Sequence, residues 1–104
     1  MSRPLRLSAA AEIDVQMAKE WYDMQSPGLG TTMIEELDKA YQRILEYPEM
    51  HQVAFANVRR AVIYRFPYAI SYRILPTAIQ VVGVLPTRAD PKSLIGRAAA
   101  ARPT

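Results

Sequence analysis

A short break, Ser26-Pro27-Gly28-Leu29-Gly30, separates two helical patterns in the first half of this 104-residue chain. Proline removes a backbone donor and glycine permits a positive φ, so such a segment suits a tight reversal. One pattern covers residues 9–25, with Ser8 as a candidate N-cap, and the other covers residues 32–46. The sequence therefore predicts two antiparallel helices over these ranges.

The first helical pattern carries large apolar residues at spacings of four, four and three, which places them on one face. An apolar stripe on an amphipathic helix is typically buried against the core. We therefore predict that Trp21 is a core residue and not a platform on which a nucleobase stacks. The stripe consists of Ile13, Met17, Trp21 and Met24, and the opposite face carries Glu12, Gln16, Lys19 and Asp23.

The second pattern begins with a capping box, in which Thr32 and Glu35 each satisfy a free backbone N–H at the helix start. It stops before Pro48, because the residue that precedes a proline is disfavoured in the α region. This helix is predicted to start at Thr32 and to bury one apolar stripe. The members of that stripe are Ile34, Leu37, Tyr41, Ile44 and Leu45.

Strand patterns occupy the start of the chain and most of its second half. A short one at residues 3–8 precedes the first helix, and longer ones cover residues 58–66, 68–75 and 79–85. Between residues 68 and 74, large apolar side chains alternate with Ala69, Ser71 and Arg73, which is the period of a strand with two different faces. The intervening residues 50–57 are predicted to be a loop. Three tyrosines are predicted to pack against the helices: Tyr64, Tyr68 and Tyr72.

The order β-α-α-β-β-β predicts an α+β fold in which a helical hairpin packs on a small antiparallel sheet. A chain of this length holds one domain, which we place at residues 1–96. Asp90 and Pro91 match an N-cap followed by a first-turn proline, so a short helix is expected there, ended by Gly96. Residues 97–104 are expected to form a flexible tail.

Charge is distributed unevenly along the chain. Residues 1–52 carry five basic and nine acidic side chains, a net charge of −4, whereas residues 53–104 carry eight basic and one acidic, a net charge of +7. A strongly basic half is typical of a surface that meets phosphates or an acidic partner. Five arginines on or beside the strands are the candidate binding residues, because a guanidinium offers a planar fork of donors and stays charged. They are Arg59, Arg60, Arg65, Arg73 and Arg88.

Several kinds of site are not expected in this chain. It has no cysteine, so disulfides and thiolate metal sites are excluded. His51 is the only histidine and has no acidic neighbour at ligand spacing, so neither a metal site nor a nucleophilic triad is expected, and no catalytic residue can be named. We predict no cofactor and no small-molecule substrate. No segment has the length of a signal peptide or a membrane span, so the expected location is the cytoplasm, without membrane association.

Beyond these patterns, the sequence resembles the RelE/ParE family of toxins over residues 5–92. The stretches that carry the resemblance keep the order and spacing seen in that family. They are Ser8-Ala9-Ala10-Ala11-Glu12, Glu20-Trp21-Tyr22, Ser26-Pro27-Gly28-Leu29-Gly30 followed by Glu36-Leu37, Val58-Arg59-Arg60, Phe66-Pro67-Tyr68-Ala69-Ile70 with Tyr72-Arg73, and Arg88-Ala89-Asp90-Pro91.

The resemblance implies the toxin of a type II toxin–antitoxin pair, of the kind that stabilises plasmids, whose partner antitoxin masks the active surface. Members of the family are either ParE-type inhibitors of DNA gyrase or RelE-type, metal-independent endonucleases that cut mRNA on the ribosome. Arg88 matches an arginine that the endonucleases carry after the last strand. However, Ala69 stands where they carry a strand arginine, and Pro86 stands where many carry a histidine. These departures favour gyrase inhibition, and the chain is then not an enzyme.

Two alternatives stay open at this point. The protein is an mRNA endonuclease if its arginines stabilise the charge on a scissile phosphate, which requires donors aimed at the developing charge more than a metal. It is an inactive family member if it has kept only the binding of an antitoxin or of DNA. The cognate antitoxin and the oligomeric state do not follow from the sequence.

Overall fold

The computed structural model of the protein describes residues 3–101, and it has the predicted α+β class. Its strands and helices follow the expected order along the chain, with one additional strand and one additional helix. They are β1 (Leu5–Leu7), α1 (Ala9–Gln25), α2 (Leu29–Glu46), β2 (Val53–Phe55), β3 (Val58–Val62), β4 (Tyr68–Ile74), β5 (Ile79–Pro86), a 3-10 helix (Pro91–Leu94) and α3 (Ile95–Ala100).

The five strands form one sheet in the order β1-β5-β4-β3-β2. Strand β1 is parallel to β5, with Leu5 opposite Ile79, and the other neighbouring strands are antiparallel. The pairing of β4 with β5 contains a bulge, because Ser71 lies opposite Gly83 while Tyr72 lies opposite Val81. The sheet is therefore a meander of β2 to β5, and β1 is added beside β5 as the edge strand.

The helical hairpin packs on the face of the sheet that carries Ile70, Tyr72 and Val81, all of them fully buried. From α2, Leu37 and Ile44 are buried in this core, and the remaining members of the predicted stripe are partly buried against it. The prediction for the second helix's apolar stripe is thus confirmed, as is that for Tyr72.

The prediction for the first helix's apolar stripe is wrong. The side chains of Ile13, Met17, Trp21 and Met24, hereafter the α1 stripe, are all exposed, and Trp21 is not a core residue. Helix α1 instead buries Ala11, Ala18 and Tyr22, which share a third face, distinct from the α1 stripe and from the polar face. Alanine side chains let a helix approach the sheet closely, so the face that carries Ala11 and Ala18 packs on the core and the α1 stripe faces outward.

The two helix starts behave differently. Ser8 caps α1 as predicted, since its hydroxyl accepts the N–H of Ala11 at 3.1 Å. The capping box of α2 is absent, because the helix starts three residues earlier, after Gly28, whose φ of 87° a glycine adopts without strain. The hydroxyl of Thr32 then donates to the carbonyl of Gly28 instead of capping the helix.

The strand predictions need two corrections. Strand β3 ends at Val62 and not at residue 66, because Arg65 has a φ of 73°, which a strand cannot contain, and Tyr64 is exposed rather than packed on the helices. The predicted loop at residues 50–57 contains β2, which forms a hairpin with β3 through a turn in which Ala56 has a φ of 46°. Such turns usually carry glycine or asparagine at the positive φ, so an alanine at this position does not mark a hairpin.

The second face of the sheet is partly covered by the C-terminal segment. A side-chain carbon on Gly83 would lie 2.8 Å from Cδ2 of Leu94, which shows how closely the 3-10 helix packs on β5. Gly96 lies within α3 and does not end the helix as expected. The predicted tail therefore begins with helical residues, while its residues 102–104 lie outside the described part of the chain.

Candidate functional site

A groove of about 670 Å³ lies between α1 and the end of the sheet where β4 begins and β5 finishes. One wall comes from α1 and the other from the strand ends and the turn that follows β5. The lining residues are Asp14, Met17, Ala18, Trp21, Tyr22, Pro67, Tyr68, Val84, Leu85, Pro86, Thr87 and Arg88.

Aromatic rings line much of this groove. The ring of Tyr22 packs edge-on against Trp21 and Phe66, with centroid distances of 5.0 Å in both pairs, and lies 6.0 Å from the ring of Tyr68. Edge-to-face packing of this kind is a favourable arrangement of aromatic rings. The groove consequently has an apolar, aromatic wall that suits apolar side chains of a ligand or partner.

Two charged side chains reach the groove from opposite walls, Asp14 from α1 and Arg88 from the turn after β5. Both act on the phenol of Tyr68, whose pKa is raised mainly by burial, lowered in part by Arg88 and raised by Asp14. Asp14 is paired with Arg97. Arg88, in contrast, is exposed and has no hydrogen-bond or ion-pair partner among residues 3–101, so it is free to meet a partner.

The turn that presents Arg88 is held in place by hydrogen bonds from three directions. The Arg60 guanidinium donates from Nη2 to the carbonyl of Thr87, and the Thr87 N–H donates to the carbonyl of Pro67 at 2.8 Å. Within the turn, the Ala89 N–H donates to Pro86 at 2.9 Å. Arg65 lies in the adjacent turn, two residues before Pro67, and is exposed. Three of the five predicted arginines, Arg60, Arg65 and Arg88, therefore belong to one end of the sheet.

The other two predicted arginines lie elsewhere and are engaged by the protein itself. Arg59 Nη1 donates to the carbonyls of Glu49 and His51, at 3.0 and 2.7 Å. Arg73 Nε donates to Gln80 Oε1 at 2.8 Å, and its Nη2 donates to the carbonyl of Ala101 at 3.0 Å. The five arginines do not form one cluster, because they belong to two faces and two ends of the sheet.

His51 is anchored at a distance from the groove. Its Nδ1 lies 3.2 Å from the hydroxyl of Tyr72, which donates to the carbonyl of Pro48 at 2.6 Å. Tyr72 is four residues beyond Tyr68 on β4, so the two positions are about 13 Å apart at the rise of a strand. The histidine and Arg88 therefore lie at different ends of this strand.

The groove itself is not evident from the sequence, although part of its wall is. Trp21 and Tyr22 stand next to each other, and adjacent aromatic residues on a helix cannot both face the core. Here Tyr22 is buried and Trp21 lines the groove. The contributions of Asp14 and Tyr68 follow from the tertiary fold alone.

Within residues 3–101 no group of three or more His, Asp or Glu side chains is arranged to hold a metal ion, and no helix combines the length and apolar character needed to cross a bilayer.

Comparison with known proteins gives a match in structure only. No protein-family model and no curated protein sequence matches the chain. Among solved structures, a chain of the "Chromosomal ParDE TA system from P. aeruginosa" superposes with a TM-score of 0.73 at 14% sequence identity. The match covers 81% of this chain and 95% of that one. The two chains share a fold, and the arrangement that the family resemblance implied is confirmed.

Proposed function

We propose that this protein is the toxin of a type II toxin–antitoxin pair, neutralised by a cognate antitoxin, and that it inhibits DNA gyrase in the manner of ParE. The observation that carries the proposal is the fold, which extends over most of this chain and nearly all of a chain from a ParDE system. The stretches that carry the family resemblance lie on elements of this fold, with Glu20-Trp21-Tyr22 on α1 and Arg88 after β5.

Gyrase inhibition is favoured over mRNA cleavage by the surroundings of Arg88. Ala69, which stands where the endonucleases carry an arginine, is only 2% exposed and has no polar group. Pro86 closes β5 where many of them carry a histidine, and His51 lies near the opposite end of β4. Proton transfer by a positioned side chain typically contributes about 10²–10⁴ in rate. The titratable groups that line the groove with Arg88 are poorly placed to accept a proton, because the Asp14 carboxylate is paired with Arg97 and the Tyr68 phenol has a pKa that burial raises.

The antitoxin is proposed to contact the end of the sheet that carries Arg65 and Arg88. Both guanidinium groups are exposed, and in residues 3–101 neither has an ion-pair partner. An acidic segment of the antitoxin gains charge-assisted hydrogen bonds there without displacing any contact of the toxin. Arg59, Arg60 and Arg73 are less available, since each already donates to an acceptor within the protein.

The deciding experiment measures both activities on the same purified toxin. Supercoiling by gyrase is followed at increasing toxin concentration, and mRNA ends are mapped in cells that express the toxin without antitoxin. We expect inhibition of supercoiling with unchanged mRNA ends. Toxin saturated with its antitoxin is the control and should leave supercoiling intact. Codon-phased mRNA cuts with normal supercoiling would overturn the gyrase target in favour of the endonuclease.

A further inference from the structure

We propose that the turn after α2, residues 47–52, forms a binding site for a phosphate group together with its neighbours Arg43 and Arg59. Arg43 lies in the last turn of α2, Arg59 lies on β3, and the turn itself supplies His51. None of these residues lines the groove, and the turn lies near the end of β4 opposite Arg88. The site is therefore separate from the surface assigned above, and the inference does not rest on the proposed function.

The turn is held to the sheet by side chains of β3 and β4. Arg59 Nη1 donates to the carbonyls of Glu49 and His51, at 3.0 and 2.7 Å. The hydroxyl of Tyr72 donates to the carbonyl of Pro48 at 2.6 Å. These carbonyl oxygens, which would otherwise repel an anion, are thus occupied as acceptors. Nε and Nη2 of Arg59 have no hydrogen-bond partner in the described part of the chain, so an oriented guanidinium still has donors for a ligand.

The contact between His51 and Tyr72 determines which ring nitrogen of the histidine is free. Because the Tyr72 hydroxyl uses its one hydrogen on Pro48, its oxygen accepts from Nδ1 of His51, 3.2 Å away. The neutral ring therefore carries its proton on Nδ1, and Nε2 is the nitrogen that takes up a second proton. Nε2 has no hydrogen-bond partner among residues 3–101. Protonated His51 consequently has a free Nε2–H donor that points away from Tyr72.

The charged side chains that shift the pKa of His51 are both cations. Burial lowers this pKa, and Arg43 and Arg59 lower it further. The carboxylates nearest in sequence, Glu46 and Glu49, are exposed, and neither forms an ion pair with an arginine of the described chain. Two guanidinium groups and a ring that can become charged thus lie together without a counter-ion from residues 3–101. An anionic ligand would supply that counter-ion.

A phosphate group suits this arrangement better than a carboxylate. It carries up to two negative charges and several acceptor oxygens on one centre, so donors from different directions can bind it together. A guanidinium offers a fork of donors that fits phosphate, and a protonated imidazole adds another charge-assisted hydrogen bond. Tyr47 lies on the same turn and is 59% exposed, so its ring offers a face on which a nucleobase stacks. The phosphate therefore belongs either to a small free phosphate compound or to a single-stranded nucleic acid.

Binding of the anion and protonation of His51 should favour each other. In the free protein the two arginines disfavour a charged ring, whereas a bound dianion favours it and raises the pKa. By linkage, the affinity for the anion then increases as the pH falls. The other titratable groups around the turn keep their charge between about pH 8 and about pH 5.5. They are the phenols of Tyr47 and Tyr72 and the carboxylates of Glu46 and Glu49.

The test follows the ring of His51 by NMR in a chain without an added histidine tag. His51 is the only histidine, so its ring signals are assigned without ambiguity. The probe is sulfate, a tetrahedral dianion whose charge does not change in this pH range, and the control is chloride at the same ionic strength. We expect a higher pKa of His51 in sulfate than in chloride, and an affinity for sulfate that increases about threefold to tenfold from about pH 8 to about pH 5.5. Equal pKa values in the two salts would overturn the site.

Two arginine variants locate the anion. Arg43→Gln removes an exposed guanidinium that has no side-chain hydrogen bond in the described chain, so the fold should be unchanged. We expect the affinity for sulfate to fall about two- to fivefold, the scale of one exposed ion pair. Arg6→Gln makes the same change of charge on β1, at the opposite edge of the sheet, and should leave the affinity unchanged. Equal losses in the two variants would overturn the assignment, because net charge alone would then explain them.

A histidine variant tests the coupling to protonation. In His51→Asn, sulfate binding is followed by the backbone amide signals of the turn, and the increase in affinity toward low pH should disappear. An increase as large as that of the wild-type protein would exclude His51 from the site. Neither measurement uses gyrase or an antitoxin, so failure of the supercoiling assay and failure of this site are distinguishable.

Two further ligands distinguish the sources of the phosphate. A nucleoside monophosphate and a short single-stranded oligonucleotide are each titrated in competition with sulfate. Tighter binding of the oligonucleotide would assign a nucleic-acid strand, and Tyr47→Ala should then weaken that binding at least about fivefold. Equal affinity of the two ligands would assign a small phosphate compound. If neither competes with sulfate, the turn is not a phosphate site.

Discussion

The guanidinium of Arg97 on α3 binds the carboxylate of Asp14 on α1, with Nη2 2.9 Å from Oδ1 and Nη1 donating to Oδ2. The same carboxylate accepts the backbone N–H of Val84 at 3.0 Å. Strand β1 pairs with residues 79–81 only, so Val84 lies where β5 has no neighbouring strand on that side. One buried side chain thus satisfies an edge donor of the sheet and joins the helical hairpin to the C-terminal helix.

Replacing Asp14 should destabilise the protein substantially. In Asp14→Ala the Val84 N–H and the Arg97 guanidinium lose their acceptor, and an unpaired buried donor costs about 1–3 kcal/mol. We expect the free energy of unfolding to fall by about 2–3 kcal/mol in urea denaturation. Asp38→Ala removes an exposed carboxylate from α2 and should change stability by less than about 0.5 kcal/mol. Equal stabilities for the two variants would show that the carboxylate carries no structural role.

Reversing the charge of Arg88 should weaken binding of the antitoxin proposed above. In Arg88→Glu a free guanidinium at the groove is replaced by a carboxylate that repels an acidic partner, and we expect a loss of about tenfold in affinity, greater at low salt. Lys92→Glu makes the same change of charge at another exposed position outside the groove and should have a much smaller effect. Isothermal titration calorimetry at two salt concentrations measures both. Equal losses of affinity in the two variants would show that the effect depends on net charge and not on the position of Arg88.

His51 should make the stability depend on pH. Burial lowers the pKa of this histidine below 6.5, and Arg43 and Arg59 lower it further, so the folded state favours the neutral ring. This contribution is complete above the unfolded pKa and is lost as the pH falls through 6.5 to the folded pKa. Between about pH 8 and about pH 5 the wild-type protein should therefore lose stability relative to His51→Asn. A constant difference between the two over that range would contradict the prediction.

Because the two long helices approach closely at Gly30, a larger residue at this position should destabilise the protein. A side-chain carbon at this position would lie 2.4 Å from the carbonyl oxygen of Lys19 and 2.7 Å from the Asp23 carboxyl carbon. Gly30→Ala should therefore separate α1 from α2 and cost about 1–3 kcal/mol, the usual range for overpacking. Gly96→Ala meets nothing within 4 Å inside α3 and should be neutral or stabilising. Thermal denaturation compares the two, and a similar melting temperature would contradict the close packing.

The sequence predicted those elements whose signals are local. The bounds of α1 agree with the periodic pattern and the Ser8 cap, and β4 and β5 agree with their alternation and the turn between them. The start of α2 was misplaced because a helix that begins after a left-handed glycine needs no side-chain cap. Strand β2 could not be predicted, since its hairpin turn has a positive φ at an alanine.

The candidate site was less predictable than the fold, for a physical reason. Helix α1 has two faces with helical spacing, and the choice between them depends on whether size or close approach governs packing. The large side chains of Ile13, Met17 and Trp21 suggested that their face is buried. The face that carries Ala11 and Ala18 is buried instead. For the arginines, residue type and strand period give the face of the sheet but not the acceptor that each guanidinium binds, which depends on contacts distant in sequence.

The pairing of β1 with β5 has a consequence for synthesis of the chain. Leu5 leaves the ribosome long before its partner Ile79, and at roughly 5–20 residues per second several seconds separate the two. Both helices of the hairpin, α1 and α2, are synthesised within that interval, before the strand on which they pack. The wall of the groove that includes Val84 and Arg88 does not yet exist at that stage. A nascent chain interrupted before β5 consequently lacks both the pairing of β1 with β5 and the groove, and the surface proposed to contact the antitoxin is completed only after β5 has been synthesised.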